Sequence, residues 1–136
     1  DFWIGTYSGV SFLHQSAVGF MEYGQDINVA NTRSVLEDYK GNIWVGTQKH
    51  GLLKVQSHKL EAAKTSADFP KSVYTIDEMG PDELLVGGDD GLFLASTKNN
   101  QVRIIRKIFS EAVRSVKVRA NQEILVNSLF LLQENQ

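Results

Sequence analysis

Apolar positions along the chain come in short bursts, separated by Gly, Asn, Asp and Lys. No stretch carries a sustained apolar stripe at helical spacing, so helices are not predicted. One stretch reads as a full set of strands and turns. "RSVLED", 33–38, is a first strand, and "YKGN", 39–42, is a tight turn in which Gly41 and Asn42 tolerate positive φ. "IWVGT", 43–47, is a second strand, "QKH", 48–50, a short connection, and "GLLKVQS", 51–57, a third strand. "KLEAAKT", 59–65, is a fourth, outer strand. The second strand is apolar or very small on both faces: Ile43 and Val45 on one, Trp44 and Gly46 on the other. A half-buried strand alternates apolar and polar residues, so this one is predicted to be covered on both sides.

The pattern recurs. "FWIGT" at Phe2–Thr6 returns 41 positions later as "IWVGT", 41 positions on as "LLVGG" at Leu84–Gly88, and 40 further as "ILVNS" at Ile124–Ser128. The flanks repeat as well: "RSV" at 33–35, "YTI" at 74–76 and "RSV" at 114–116, then Gly9-Val10, Gly51-Leu52 and Gly91-Leu92 after each second strand. Four antiparallel strands in a unit of this length predict a β-propeller blade. The predicted fold is therefore an all-β propeller segment of four-stranded antiparallel blades. Its parts are a partial blade over 1–30, blades over 31–70 and 71–110, and a partial blade over 111–136. Gly5, Gly46 and Gly87 leave room for the bulk of a neighbouring blade, and Trp3 and Trp44 are predicted to pack between blades. About three and a third blades cannot close a ring of four to eight, so the segment is expected to be part of a larger propeller. The alternative is a small self-contained β-sandwich.

The residues "LEDYKGNIWVGTQKHGLLKV", Leu36 to Val55, carry a resemblance. They are similar to the two-component regulator propeller repeat: a strand ending Glu-Asp, two residues, Gly-Asn-Ile-Trp-Ile-Gly-Thr, a short gap, then Gly-Leu. The unit beginning "DFWIGTYSGV" matches well. The third, "IDEMGPDELLVGGDDGLFL", has Leu85 for Trp and Asp82-Glu83 for Gly-Asn; the last, "ANQEILVNSLFLL", departs most, with "NS" placed to form a two-residue hairpin. The resemblance implies the periplasmic sensor region of a hybrid two-component histidine kinase and response regulator, responding to carbohydrate breakdown products. It also implies a seven-bladed propeller followed by another propeller, a β-sandwich, a membrane helix and a kinase elsewhere in the parent. It carries over no catalytic residue, because the motif is structural: Trp3, Gly5, Asp38, Gly41, Asn42, Trp44, Gly46, Gly51, Gly87 and Gly91.

Charge and composition narrow the chemistry. The 136 residues carry a net charge of −2, which gives no electrostatic case for nucleic acid or an anionic membrane surface. There is no cysteine, hence no disulfide framework, thiolate nucleophile or Cys-based zinc site. No apolar run reaches the roughly 20 residues that span a bilayer, and no signal-peptide pattern opens the chain. His14, His50 and His58 have no metal-ligand spacing, so no metal is predicted; "GGDDG", 87–91, lacks the calcium-loop pattern. No cofactor motif, nucleophile elbow or P-loop is present. Glu37, Asp38, Asp77 and Glu78 could supply a glycosidase carboxylate pair, with turn capping by Asp38 as the competing role.

Arg33, Tyr74 and Arg114 hold equivalent places at the starts of inner strands, which gather at one mouth of a propeller channel. The links holding Tyr7 and His50 lie toward the same mouth. An aromatic ring and guanidinium donors there suit an oligosaccharide or carboxylate, although arginine at this position also belongs to the repeat. The leading function is a non-catalytic sensor or scaffold segment. Its expected partners are the neighbouring propeller and β-sandwich domains and, for the parent, a homodimer. The alternatives are a protein-binding adaptor and a propeller lyase or glycoside hydrolase with its catalytic groups on loops, of which 23–32 is the longest.

Overall fold

A computed structural model describes residues 32–127 with their side chains, and outside them the backbone of the strands β1 (Phe2–Thr6), β2 (Gly9–His14), β3 (Ala17–Phe20), β4 (Glu22–Tyr23) and β15 (Phe130–Gln133). Between these lie β5 (Thr32–Glu37), β6 (Ile43–Thr47), β7 (Leu52–Gln56), β8 (Lys59–Ala62), β9 (Thr75–Gly80), β10 (Glu83–Gly88), β11 (Gly91–Ser96), β12 (Arg103–Phe109), β13 (Val116–Val118) and β14 (Glu123–Val126). The only helical elements among the described residues are two 3-10 turns. No helix among them is long and apolar enough to cross a membrane.

The strands form four consecutive antiparallel meanders, one per repeat: β1-β2-β3, β5-β6-β7-β8, β9-β10-β11-β12 and β13-β14-β15. Each meander is a blade, and the arrangement is an arc of a β-propeller. The third blade shows the regular plan, with β10 pairing β9 from Leu84↔Glu78 to Gly87↔Thr75 and β11 from Glu83↔Ser96 to Gly88↔Gly91. One pairing crosses between blades. β4 follows the first meander but adds in parallel to β8, Glu22 with Lys59 and Tyr23 with Leu60, so the second sheet has five strands. The same clasp recurs as a parallel bridge from Thr65 to Val102. The chain leaving one blade's outer strand thus takes hold of the next blade's outer strand.

Second strands are buried on both faces because a blade lies against each. Trp44 and Leu52 of the second blade pack with Val73, Ile76, Leu84 and Val86 of the third. One repeat on, Leu85, Leu92 and Leu94 pack with Val113, Val116, Ile124 and Val126 of the fourth. Leu85 stands where Trp44 stands and is fully buried in the same way. At Gly46 a Cβ would lie 2.6 Å from the Val73 carbonyl oxygen, and at Gly87 2.7 Å from Val113 Cγ1. Backbone bonds join the blades at the same level: Val73 N–H donates to the Thr47 carbonyl (2.7 Å) and Val113 N–H to the Gly88 carbonyl (2.9 Å).

Asp38 explains the most recognisable stretch of the repeat. It sits at the end of β5 with 9% exposure. Its Oδ1 accepts from the backbone N–H groups of Lys40 (3.0 Å) and Asn42 (2.9 Å), closing the turn. Its Oδ2 accepts from Asn42 Nδ2 (3.0 Å) and from the indole Nε1 of Trp44 (2.9 Å). One carboxylate therefore orients both the turn and the ring that packs between blades. Gly41 turns at φ 85. Asn42 is not at positive φ, as its residue type suggested; its contribution is the amide bond to Asp38. In the last blade the register Val126↔Phe130 encloses three residues, 127–129, so the "NS" hairpin is longer than the expected two-residue turn. Asn127, at φ 56, accepts from Arg114 N–H (2.7 Å) and donates to the Ala112 carbonyl (3.1 Å), pinning the start of β13.

Candidate functional site

The inner strands β5, β9 and β13 begin at one face of the arc, and Arg33, Tyr74 and Arg114, at or just before their starts, meet there. Tyr74 is the centre. Arg33 Cζ lies 5.5 Å from the Tyr74 ring centroid, and Arg114 Cζ lies 4.3 Å from it. The three residues come from three successive blades at equivalent positions, so the repeat itself builds the stack.

Two supports hold it. Tyr74 Oη donates to Asp89 Oδ2 at 3.0 Å, and Arg114 Nη1 stands 3.5 Å from Asp89 Oδ1. Arg33 Nη2 donates to Gln48 Oε1 at 2.8 Å. Asp89 and Gln48 both lie in the links between second and third strands. Asp89 is in turn fixed by its backbone N–H, which donates to Ser72 Oγ at 2.8 Å. Gly88 before it is held against the Ser72 carbonyl oxygen, where any Cβ would collide. The threonine that stands here in the second repeat would therefore not fit in the third.

Magnitudes separate ligand chemistry from stability. Exposed cation–π contacts contribute about 0.5–1 kcal/mol each, and a surface ion pair about 0–1. The Arg114–Asp89 pair is open to solvent, with side chains 63% and 53% exposed. The stack is a small stabilising contribution compared with the interface beneath it. What it offers is a preorganised surface: an aromatic ring edge, two guanidinium groups and a carboxylate at one mouth. The guanidinium groups cover the ring, so what such a set can do is hold hydroxyl or carboxylate oxygens at its polar edge.

The other expected site residues lie elsewhere. His50 is exposed, its backbone N–H donates to Thr47 Oγ1 at 2.9 Å, and it lines a separate concavity against the linker 65–71. Tyr7 lies outside the described residues, as do the side chains of Trp3 and His14; Gly5 lies in β1, paired with Val10. Gly51 (φ 65) and Gly91 (φ 126) open the third strands in a conformation that favours glycine. Asp89 and Gln48, which complete the stack, have no motif around them. Their only signal is their place in the links next to the equivalent residues.

Three of the four carboxylates with enzymatic potential, Asp38, Asp77 and Glu78, are engaged in structural bonds, and the fourth, Glu37, is exposed. Asp77 Oδ2 accepts from Val118 N–H (2.8 Å) of the next blade and Oδ1 from Glu78 N–H (2.9 Å). Glu78 Oε2 accepts from Tyr39 N–H (3.0 Å) of the preceding blade. Burial alone would raise the Asp38 carboxyl; the bonds from Trp44, Asn42 and Lys40 outweigh it and hold the group below the usual carboxylate value. Among the described residues no three His, Asp or Glu converge as a metal site.

Comparison with known proteins adds the relatives of this arrangement. Residues 26–49 match the family model "Two component regulator propeller". No curated protein sequence matches the chain. Among solved structures it is similar to the extracellular domain of a putative hybrid two component system from B. thetaiotaomicron: TM-score 0.72, 15% identity, 96% of this chain and 21% of that one. It is also similar to the extracellular domain of a putative one component system from the same organism, with TM-score 0.70, 17% identity, 96% of this chain and 20% of that one. The chain thus spans about a fifth of the length of either. At these identities the likeness shows the fold alone: this chain is an arc of a β-propeller, and one stretch of it, 26–49, is similar to the two-component regulator propeller repeat.

Proposed function

We propose that the chain is a non-catalytic arc of the periplasmic sensor region of a hybrid two-component signalling protein, and that its mouth contacts oligosaccharide breakdown products. The observation that carries this reading is the Arg33–Tyr74–Arg114 stack, in which one ring is clasped by guanidinium groups from the blades on either side. A ligand lying across it touches three blades at once. Its binding energy then acts on how the blades sit against one another. That is the kind of differential contact a sensor needs in order to shift a conformational equilibrium. The extracellular placement of the similar solved domains supports a location outside the cytoplasm, and the structural engagement of Asp38, Asp77 and Glu78 supports binding without turnover.

The test is made in cells, with a transcriptional reporter driven by the signalling protein and an oligosaccharide panel as stimulus. Tyr74→Ala removes the centre of the stack and is expected to cut the response about tenfold at unchanged protein level, the equivalent of roughly 1.4 kcal/mol of lost contact. An undiminished response in Tyr74→Ala and in Arg114→Ala would remove the mouth from the account.

A further inference from the structure

The repeat is interrupted on the face opposite the mouth. In the second blade β7 and β8 are joined by Ser57-His58, a two-residue turn with both residues left-handed (φ 51 and 63). In the third blade β11 and β12 are joined instead by 97–102, with a 3-10 turn at Lys98–Asn100 in which Asn99 and Asn100 stand at φ 61 and 57. Insertions into single repeats fall on one face of a repeat protein, where binding surfaces are added. Left-handed backbone is tolerated by asparagine, and Lys98, Asn99 and Asn100 are exposed. The insertion is anchored at its base, where Thr97 N–H donates to the Asp82 carbonyl at 2.9 Å.

This connection forms one wall of a groove of about 770 Å³ at the junction of the two blades. That is within the roughly 300–1,000 Å³ of small-ligand sites. The β5–β6 turn, the end of β7 and the residues after β8 form the rest. Trp44 lies in the floor with Lys54 Nζ 5.1 Å above its ring. The lining holds Lys40, Lys54, Lys64 and Lys98 against only Glu61 and Asp82, and Lys40 is paired with Asp82. The groove is therefore positive although the chain carries −2 overall. Between the charges stand the amides of Asn42, Gln56, Asn99, Asn100 and Gln101. Each amide both donates and accepts, which is what sugar hydroxyls require. Lysines supply point charges for an anionic group such as a carboxylate.

We propose that this inter-blade groove is a second binding site, separate from the mouth, for a small acidic saccharide of the uronate type. Lys54 and Lys98 meet the carboxylate, and the amides of the 97–102 connection meet the hydroxyls. Its test is a ¹H–¹⁵N NMR titration of the full chain with digalacturonate, with the neutral digalactose as comparison. Digalacturonate is expected to give saturable shifts at Lys54 and at residues 98–101. Lys98→Gln should weaken it about tenfold, the size of one charge-assisted contact. Asn100→Ala, equally exposed, provides a second variant in which to see a loss. Arg114→Ala at the mouth should leave the groove shifts unchanged, so failure here and failure of the mouth reading are told apart. Three results overturn the proposal: no saturable shift in the groove, equal binding of the neutral disaccharide, or loss of the shifts in Arg114→Ala.

Discussion

Asp38→Ala should lower the free energy of unfolding by about 3 kcal/mol, because it leaves a buried indole N–H and two turn amides without their acceptor. Trp44 is 3% exposed, so its Nε1 depends on the carboxylate for its acceptor. The chain offers its own control. One repeat on, the positions of Asp38 and Trp44 are held by Met79 and Leu85, both buried in one apolar cluster. Carboxylate and indole are replaced together, which costs little, whereas removing one partner strands the other. Urea denaturation of Asp38→Ala, Trp44→Phe and the double variant should show a coupling of about 1.5–3 kcal/mol. Additive losses would mean that the 2.9 Å bond adds nothing to stability. A pH dependence follows. The folded Asp38 carboxyl titrates below its unfolded value, so its stabilisation is complete above the unfolded value, about pH 4, and is lost as pH falls through the folded one. Asp38→Asn should flatten that acid limb, and an unchanged limb would assign it to other groups.

Gly46→Ala is expected to be about as damaging, roughly 3 kcal/mol, near the upper end of what overpacking costs. The added Cβ would meet the Val73 carbonyl oxygen at 2.6 Å and Val73 Cγ1 at 2.7 Å, and the former is backbone of the next blade. A side-chain tip could rotate away, but a carbonyl moves only with its blade. Gly41→Ala is the contrast: nothing lies within 4 Å of its Cβ, and only the left-handed φ of 85 opposes it. That conformation costs about 1 kcal/mol. Thermal unfolding of the two variants ranks blade contact against turn strain. Equal losses would show that the blades have room to separate at Gly46, which would weaken the propeller packing described above.

Much of this architecture is legible in the residues because the repeat makes every local signal recur. Gly46 and Gly87 report a close blade, and the sites equivalent to Arg33 can be found by counting alone. The features that escape a reading of the chain are those in which one residue type can play two parts. Asn42 has the side chain of a left-handed turn residue, but it works through its amide bond to Asp38. His50 lies in the link between second and third strands, as Asp89 does. The longer link of its blade sets it against the linker 65–71, in a concavity apart from the tyrosine. The clasp of Glu22–Tyr23 on β8 is only two residues long and made by backbone, so no side-chain pattern announces it. The 97–102 connection marks itself as polar, but the groove it makes requires the neighbouring blade to be in place.

The central claim is recognition without chemistry at a mouth built by three blades. The most direct test titrates the full chain with an oligosaccharide panel while the ligand is followed by chromatography. The account predicts saturable binding of at least one member, weakened about tenfold in Tyr74→Ala, with the ligand recovered intact. Cleavage of the bound oligosaccharide, or binding indifferent to Arg33, Tyr74 and Arg114 together, would contradict it.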